Sequence, residues 1–152
     1  MSVRRGLFRI VTAVHRAVFR LSGGRLLGRA GGMPVVMLTT TGHRSGRKRR
    51  TMLTAPLVEG DRIVLVASYG GYRHNPYWYQ NLLVHPDVGV TMGGRPERPM
   101  RARVAGRDER AELWPRVVAA YPGYAGYQER TERRIPLVIV EPYAGSRSST
   151  GR

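Results

Sequence analysis

The sequence predicts a mainly β, α+β fold: an antiparallel sheet or small barrel with flanking helices. Three observations carry this reading. Six short apolar or β-branched runs dominate the middle of the chain, turn residues join most of them as hairpins, and helical periodicity is confined to a leading segment and two internal ones. Helices do not alternate with strands, so a doubly wound parallel sheet fits less well. The length of 152 residues suits one domain with one core.

Residues 1–24 open the chain. Val3, Leu7, Ile10, Val11, Val14, Val18 and Leu21 recur at three- and four-residue steps, which is one face of a helix, and Gly23 and Gly24 end it. Arg4, Arg5, Arg9, Arg16 and Arg20 occupy much of the rest. Two readings stand: a helix packed on its own domain with a solvated basic face, or an interfacial helix on anionic lipid.

The barrel region is expected over residues 25–143. Pro34–Thr41 reads as a strand and Arg49–Val58 as its partner. A turn at Glu59–Arg62 leads to a strand at Ile63–Ser68. A polar glycine loop, Tyr69–His74, follows. Asn75 then caps a short helix that has Pro76 at its first position and runs to about Val84. Asp87–Met92 and Glu97–Val104 form a hairpin about Gly93–Pro96. Asp108 caps a second helix, which Pro115 kinks or restarts, and Ile135–Val140 is the last strand. Residues 144–152 read as a polar, disordered tail.

Composition narrows the function. The formal charge is +16, and every basic residue except Lys48 is an arginine, the side chain that forks best onto phosphate and carboxylate. There are no cysteines, which removes disulfides, thiol chemistry and cysteine-held metals. His15, His43, His74 and His85 lack metal-ligand spacing, so no metal is expected. No carboxylate pair stands ready for acid–base work. If the chain is an enzyme, something bound must carry the chemistry. No apolar run reaches a membrane span, and a cytoplasmic location, or a peripheral one at the inner membrane face, is expected. No recognition motif accompanies the arginines, so no nucleic-acid partner is expected.

Three constellations stand out. In Thr39–Arg50 a β-branched run stops at a turn with two glycines, and Arg44, Arg47, Lys48, Arg49 and Arg50 crowd behind it. Inward amides and guanidiniums in such a turn suit a phosphorylated or carboxylated ligand. The turn is not a Walker loop, because a strand rather than a helix follows. In Ala67–Gly71 and Asn75–Asn81 a strand ends in Ser68, glycines follow, and a helix opens on aromatics that offer stacking faces to a ring system. Trp78 and Tyr79 serve equally well as packing residues. Tyr121, Tyr124 and Tyr127 recur every third residue and share one helical face, which reads either as a wall for a flat, polar-edged substrate or as core.

These blocks, in this order, resemble the deazaflavin (F420)-dependent nitroreductase family, and within it the quinone reductases. The resemblance runs from about Pro34 to Pro142 and rests on Thr39–Arg49, Ala67–Gly71, Asn75–Asn81, the tyrosine triplet and Ile135–Pro136. It implies a split antiparallel β-barrel of the FMN-binding, pyridoxamine-phosphate-oxidase-like type. It also implies a hydride transfer from reduced coenzyme F420 to a quinone or nitroaromatic acceptor. Arg44, Ser45, Gly46 and Arg49 would hold the coenzyme's phosphate, the surrounding arginines would receive its tail, and His43 and Thr51 would also bind the coenzyme. The glycine loop with Tyr69, Gly70 and Gly71, and Trp78, would border its ring, and Ser68, Asn75 and Tyr77 would also bind the coenzyme. Ser68, Tyr121, Tyr124 and Tyr127 would serve the acceptor. FMN is the less favoured coenzyme, and a non-catalytic carrier of F420 or lipid is the alternative function. The resemblance leaves a monomer or a homodimer open. The chain departs from some relatives at Thr54, where they place a tyrosine, and at Tyr69, where they carry a basic residue. Both positions border the pocket.

Overall fold

The computed structural model describes residues 29–143 apart from Gly31. The basic helix expected over residues 1–24 and the tail over 144–152 lie outside the described residues. The strands are β1 (Arg29–Ala30), β2 (Met33–Thr41), β3 (Lys48–Thr54), β4 (Leu57–Glu59), β5 (Arg62–Val66), β6 (Asp87–Thr91), β7 (Arg98–Val104) and β8 (Leu137–Glu141). The helices are α1 (Tyr77–Val84), α2 (Arg107–Ala120) and α3 (Gly123–Glu129). A short 3-10 turn lies at Tyr69–Gly71.

Every strand pairing is antiparallel. The order across the sheet is β3–β2–β6–β7–β8–β5–β4, with β1 against the start of β2. Strands β3 and β4 are therefore neighbours in sequence yet lie at opposite edges. Only Ala55 and Pro56 separate them, and three residue steps span at most ~11 Å. The sheet must curl until its edges nearly meet. Pro56 has no amide to donate, and no β3–β4 ladder forms, so the barrel stays split. The single strand expected at Arg49–Val58 is in this way two strands with a corner between them.

Strict alternation sorts the core. Val36 and Leu38 on β2, Ile63 and Leu65 on β5, and Val138 and Val140 on β8 fill the barrel interior, where α1 adds Trp78 and Leu82. Val64 and Val66 on β5 and Leu137 and Ile139 on β8 face the other way. There they meet Leu113 and Val117 of α2 and Tyr124 of α3. Strands β5 and β8 are buried on both faces, which is why their sequences are unbroken apolar runs. An ion-pair group ties α2 to the sheet: Arg103 forks onto Glu109 at 2.7 and 3.1 Å and reaches Glu141 at 2.9 Å, while Arg62 meets Glu109 at 3.1 Å.

Helix starts differ from expectation. Pro76 is the N-cap of α1, and the Asn75 side chain makes no capping bond. Its amide oxygen accepts instead from Arg133, a charged donor that outcompetes a backbone amide. Gly106 caps α2, leaving Asp108 in the first turn, and the helix continues through Pro115 to Ala120. The last strand begins at Leu137, after Ile135 and Pro136 have passed under α3.

Candidate active site

The Thr39–Arg50 hairpin turns at Gly42–Arg47. The Gly42 amide donates to the Arg47 carbonyl at 2.8 Å and the Gly46 amide to the Gly42 carbonyl at 2.8 Å. Gly46 sits at φ 68°, in the left-handed region that favours glycine. A Cβ on Gly42 would stand 2.6 Å from the Ser45 hydroxyl and 3.3 Å from the Arg47 carbonyl, so a side chain there would displace that hydroxyl. The Arg47 amide donates to Ser45 Oγ at 3.2 Å, and the His43 amide to Asn81 Oδ1 at 3.0 Å. Three of these amides are thus spent inside the turn and the fourth on α1. Among the described residues no partner takes the Arg44 and Ser45 amides at the tip of the turn, so these two stay available to an anion.

Asn81 of α1 organises this end. Its Oδ1 also accepts from His43 Nδ1 at 2.7 Å, and its Nδ2 donates to Thr40 Oγ1 at 3.1 Å. The buried amide thereby pins the hairpin to α1 and leaves His43 Nε2 as the uncommitted ring nitrogen. The cleft so formed has a volume of about 430 Å³. His43, Arg44, Ser45, Arg49, Thr51, Tyr77 and Trp78 line it, as the sequence suggested, together with Gly42, Arg50 and Asn81. Among the described residues no carboxylate pairs with Arg44, Arg47, Lys48, Arg49 or Arg50. A crowd of unpaired cations at a cleft suits an anionic ligand.

A second cavity, about 550 Å³, opens further along β3. Arg49, Arg50 and Thr51 line the cleft, and the next three residues, Met52, Leu53 and Thr54, line this cavity. Arg49 and Thr54 lie ~17 Å apart along the strand. Ser68 and Gly70 form one wall, and Tyr121, Tyr124 and Tyr127 form the other. The three rings stack edge to face, with centroids 5.3 and 6.1 Å apart. The Tyr124 hydroxyl meets Thr54 Oγ1 at 2.9 Å and Met33 Sδ at 3.8 Å. Burial pushes its pKa up, against an opposing effect of the Thr54 hydrogen bond. The pKa of Tyr127 is raised first by the Tyr121 hydroxyl and then by burial. Both phenols stay protonated at neutral pH and can donate to an oxygen that gains charge.

Four of the residues singled out from sequence line neither space. Gly46 shapes the hairpin turn. Tyr69 is exposed, at a positive φ of 47°. Asn75 answers Arg133. Gly71, at φ 81°, packs so closely on α3 that a Cβ would lie 2.5 Å from the Tyr127 carbonyl. Met33, Met52, Leu53 and Val66 belong to the site without having been foreseen, while Arg50 and Asn81, members of the expected constellations, also line the cleft. Met33 comes from β2, Val66 from β5 and the other two from β3, and apolar strand residues brought together from three strands read in one dimension as core.

The fold and site define a class: a split-barrel protein with an arginine-lined cleft and, further along β3, a separate tyrosine-walled pocket. The pattern for F420H(2)-dependent quinone reductases matches residues 8–142. An F420H(2)-dependent quinone reductase of Mycobacterium tuberculosis is 36% identical over 130 residues, covering 84% of this chain and 87% of that one. The solved structure of an F420-H2-dependent reductase is 42% identical with a TM-score of 0.64, covering 71% of this chain and 94% of the other. A second solved structure, described as a domain-swapped dimer, is 36% identical with a TM-score of 0.66 and covers 91% and 96% of the two chains. The chain belongs to the F420H(2)-dependent quinone reductase family, a family of oxidoreductases whose coenzyme is F420.

Proposed function

We propose that this protein passes hydride from the reduced deazaflavin to a quinone, holding the coenzyme by its anionic arm. The supporting observation is the unpaired arginine cluster in a cleft that β3 joins to the tyrosine pocket. The residues fit the group chemically. Arg44, Arg49 and Arg50 offer guanidinium forks to a phosphodiester, and the surrounding basic residues receive an oligoglutamate tail. Trp78 borders both the cleft and the barrel core, where it gives a ring a firm apolar edge.

When bound, the reduced coenzyme supplies hydride from its carbon 5. The chain needs no redox residue of its own and contributes placement. Ser68 orients the acceptor by hydrogen bonding from the glycine-loop side. Tyr124 answers from the opposite wall. Its hydroxyl shares a hydrogen bond with Thr54 and otherwise meets only a thioether, a weak acceptor, so its proton can turn toward an acceptor oxygen that becomes negative. Nitroaromatics enter the same pocket as secondary acceptors. The domain-swapped relative supports a homodimer for this chain too.

Stopped-flow mixing of protein and reduced coenzyme with menadione tests the reading. Oxidation that saturates with both partners is expected. Binding without oxidation would make the protein a carrier and overturn the proposal.

A further inference from the structure

The geometry points to Arg133 as a positioning residue for the acceptor pocket: its guanidinium straps the glycine-loop wall to the tyrosine wall and sets the gap between them. Its Nε donates to the Tyr72 carbonyl at 2.8 Å. Its Nη1 donates to the Ala67 carbonyl at 3.2 Å and to Asn75 Oδ1 at 2.8 Å, and its Nη2 to the Ser68 carbonyl at 2.7 Å. One side chain therefore grips four acceptors spread over Ala67–Asn75. This is the connection between β5 and α1 that contains Tyr69 in a positive-φ conformation and two consecutive glycines. Ala67 is anchored in the core and Gly71 rests on α3, but between and beyond them Tyr69 and Tyr72 are exposed and pack on little apart from each other.

The other end of the strap is equally fixed. Gln128, one residue after Tyr127, donates through Nε2 to the Arg133 carbonyl at 2.8 Å. Its Oε1 accepts from the Ile135 amide at 3.0 Å. The helix that carries Tyr124 and Tyr127 thus holds the backbone around Arg133, and Arg133 holds the loop that carries Ser68 and Gly70. Among the described residues no carboxylate pairs with Arg133, and its charge is answered by carbonyl dipoles alone. Only a planar fork with five donors reaches three separate carbonyls and an amide at once, so lysine is no substitute.

The catalytic part of this inference rests on the proposed acceptor pocket, while the strap itself does not. The test separates the two. In coenzyme-free protein, hydrogen exchange of residues 67–75 is compared between wild type and Arg133→Lys, with thermal unfolding as the check on folding. The strap predicts exchange faster by tenfold or more in that segment and unchanged exchange in β6 and β7. Unchanged loop exchange would overturn it. With coenzyme and menadione, Arg133→Lys is expected to raise the acceptor KM or lower kcat about tenfold while the coenzyme Kd moves less than threefold. A coenzyme Kd that weakens as much as turnover would remove Arg133 from the acceptor wall. If the lysine variant unfolds, Arg133→Gly with added guanidinium takes its place: restored loop protection and turnover support the strap, and failure of the cation to restore either rejects it. Failure of wild type itself to oxidise the coenzyme would refute the proposed function and leave the exchange result standing.

Discussion

Arg49 lies on β3 at the cleft, and Tyr124 lies on α3 against Thr54 at the other end of that strand, so the two should fail differently. Arg49→Ala removes one fork from the cleft. With the fold intact, coenzyme binding should weaken by ~1.5–3 kcal/mol, the range for a lost charged hydrogen bond. A fluorescence titration reads this, and an unchanged Kd would take Arg49 out of the site. Tyr124→Phe deletes a hydroxyl whose partners are Thr54 and Met33. Turnover should fall well beyond any change in coenzyme Kd, and the reverse pattern would mean that the pocket serves the coenzyme. Both residues could be read from sequence, because arginines beside a glycine turn and tyrosines every third residue are local patterns. What Arg133 and Asn81 do could not. Each works through partners more than forty residues away or on another element, and an isolated arginine in Arg130–Arg134 looks like one more solvated charge.

The element that most constrains the site is the glycine loop against α3. Gly71 combines a positive φ of 81° with backbone 2.5 Å from where a Cβ would sit. Gly71→Ala should destabilise the protein by ~2–4 kcal/mol, since backbone strain and a clash with main chain add and neither can relax cheaply. Gly46→Ala pays only the strain, because nothing stands within 4 Å of its Cβ position. Chemical denaturation of the two variants should rank them in that order, and equal losses would contradict the contact. The longer strands were legible, because alternation and hairpin turns are local, whereas the two-residue β1 was not. Boundaries were not. The corner at Ala55–Pro56 divides a run that looks continuous, since closure of a sheet on itself leaves no local mark beyond one proline. The caps at Pro76 and Gly106 displaced Asn75 and Asp108 for a similar reason: a distant arginine claims the first, and the second serves the opening turn of α2.

Across the whole molecule, charge is distributed in two ways. Around α2, Arg103 and Arg62 hold the Glu109 carboxyl below the usual carboxylate range, chiefly through the Arg103 hydrogen bond. A depressed folded pKa contributes stability that is present above the unfolded value and is lost as pH falls through the folded one. Thermal stability should therefore decline on acidification below the ordinary carboxylate range, and Glu109→Gln should flatten that decline. An unaltered pH profile in the variant would assign the effect elsewhere. At the cleft the arginines have no such partners, and the chain's +16 charge adds a long-range field that favours anions. The central claim is that this cleft recognises the coenzyme by its phosphodiester and glutamate arm. Equilibrium titration with oxidised F420, beside the same deazaflavin ring lacking that arm, tests it directly. The account predicts at least hundredfold tighter binding of the complete coenzyme, narrowing as salt is raised. Equal affinities for the two compounds, or no binding of either by folded protein, would contradict it.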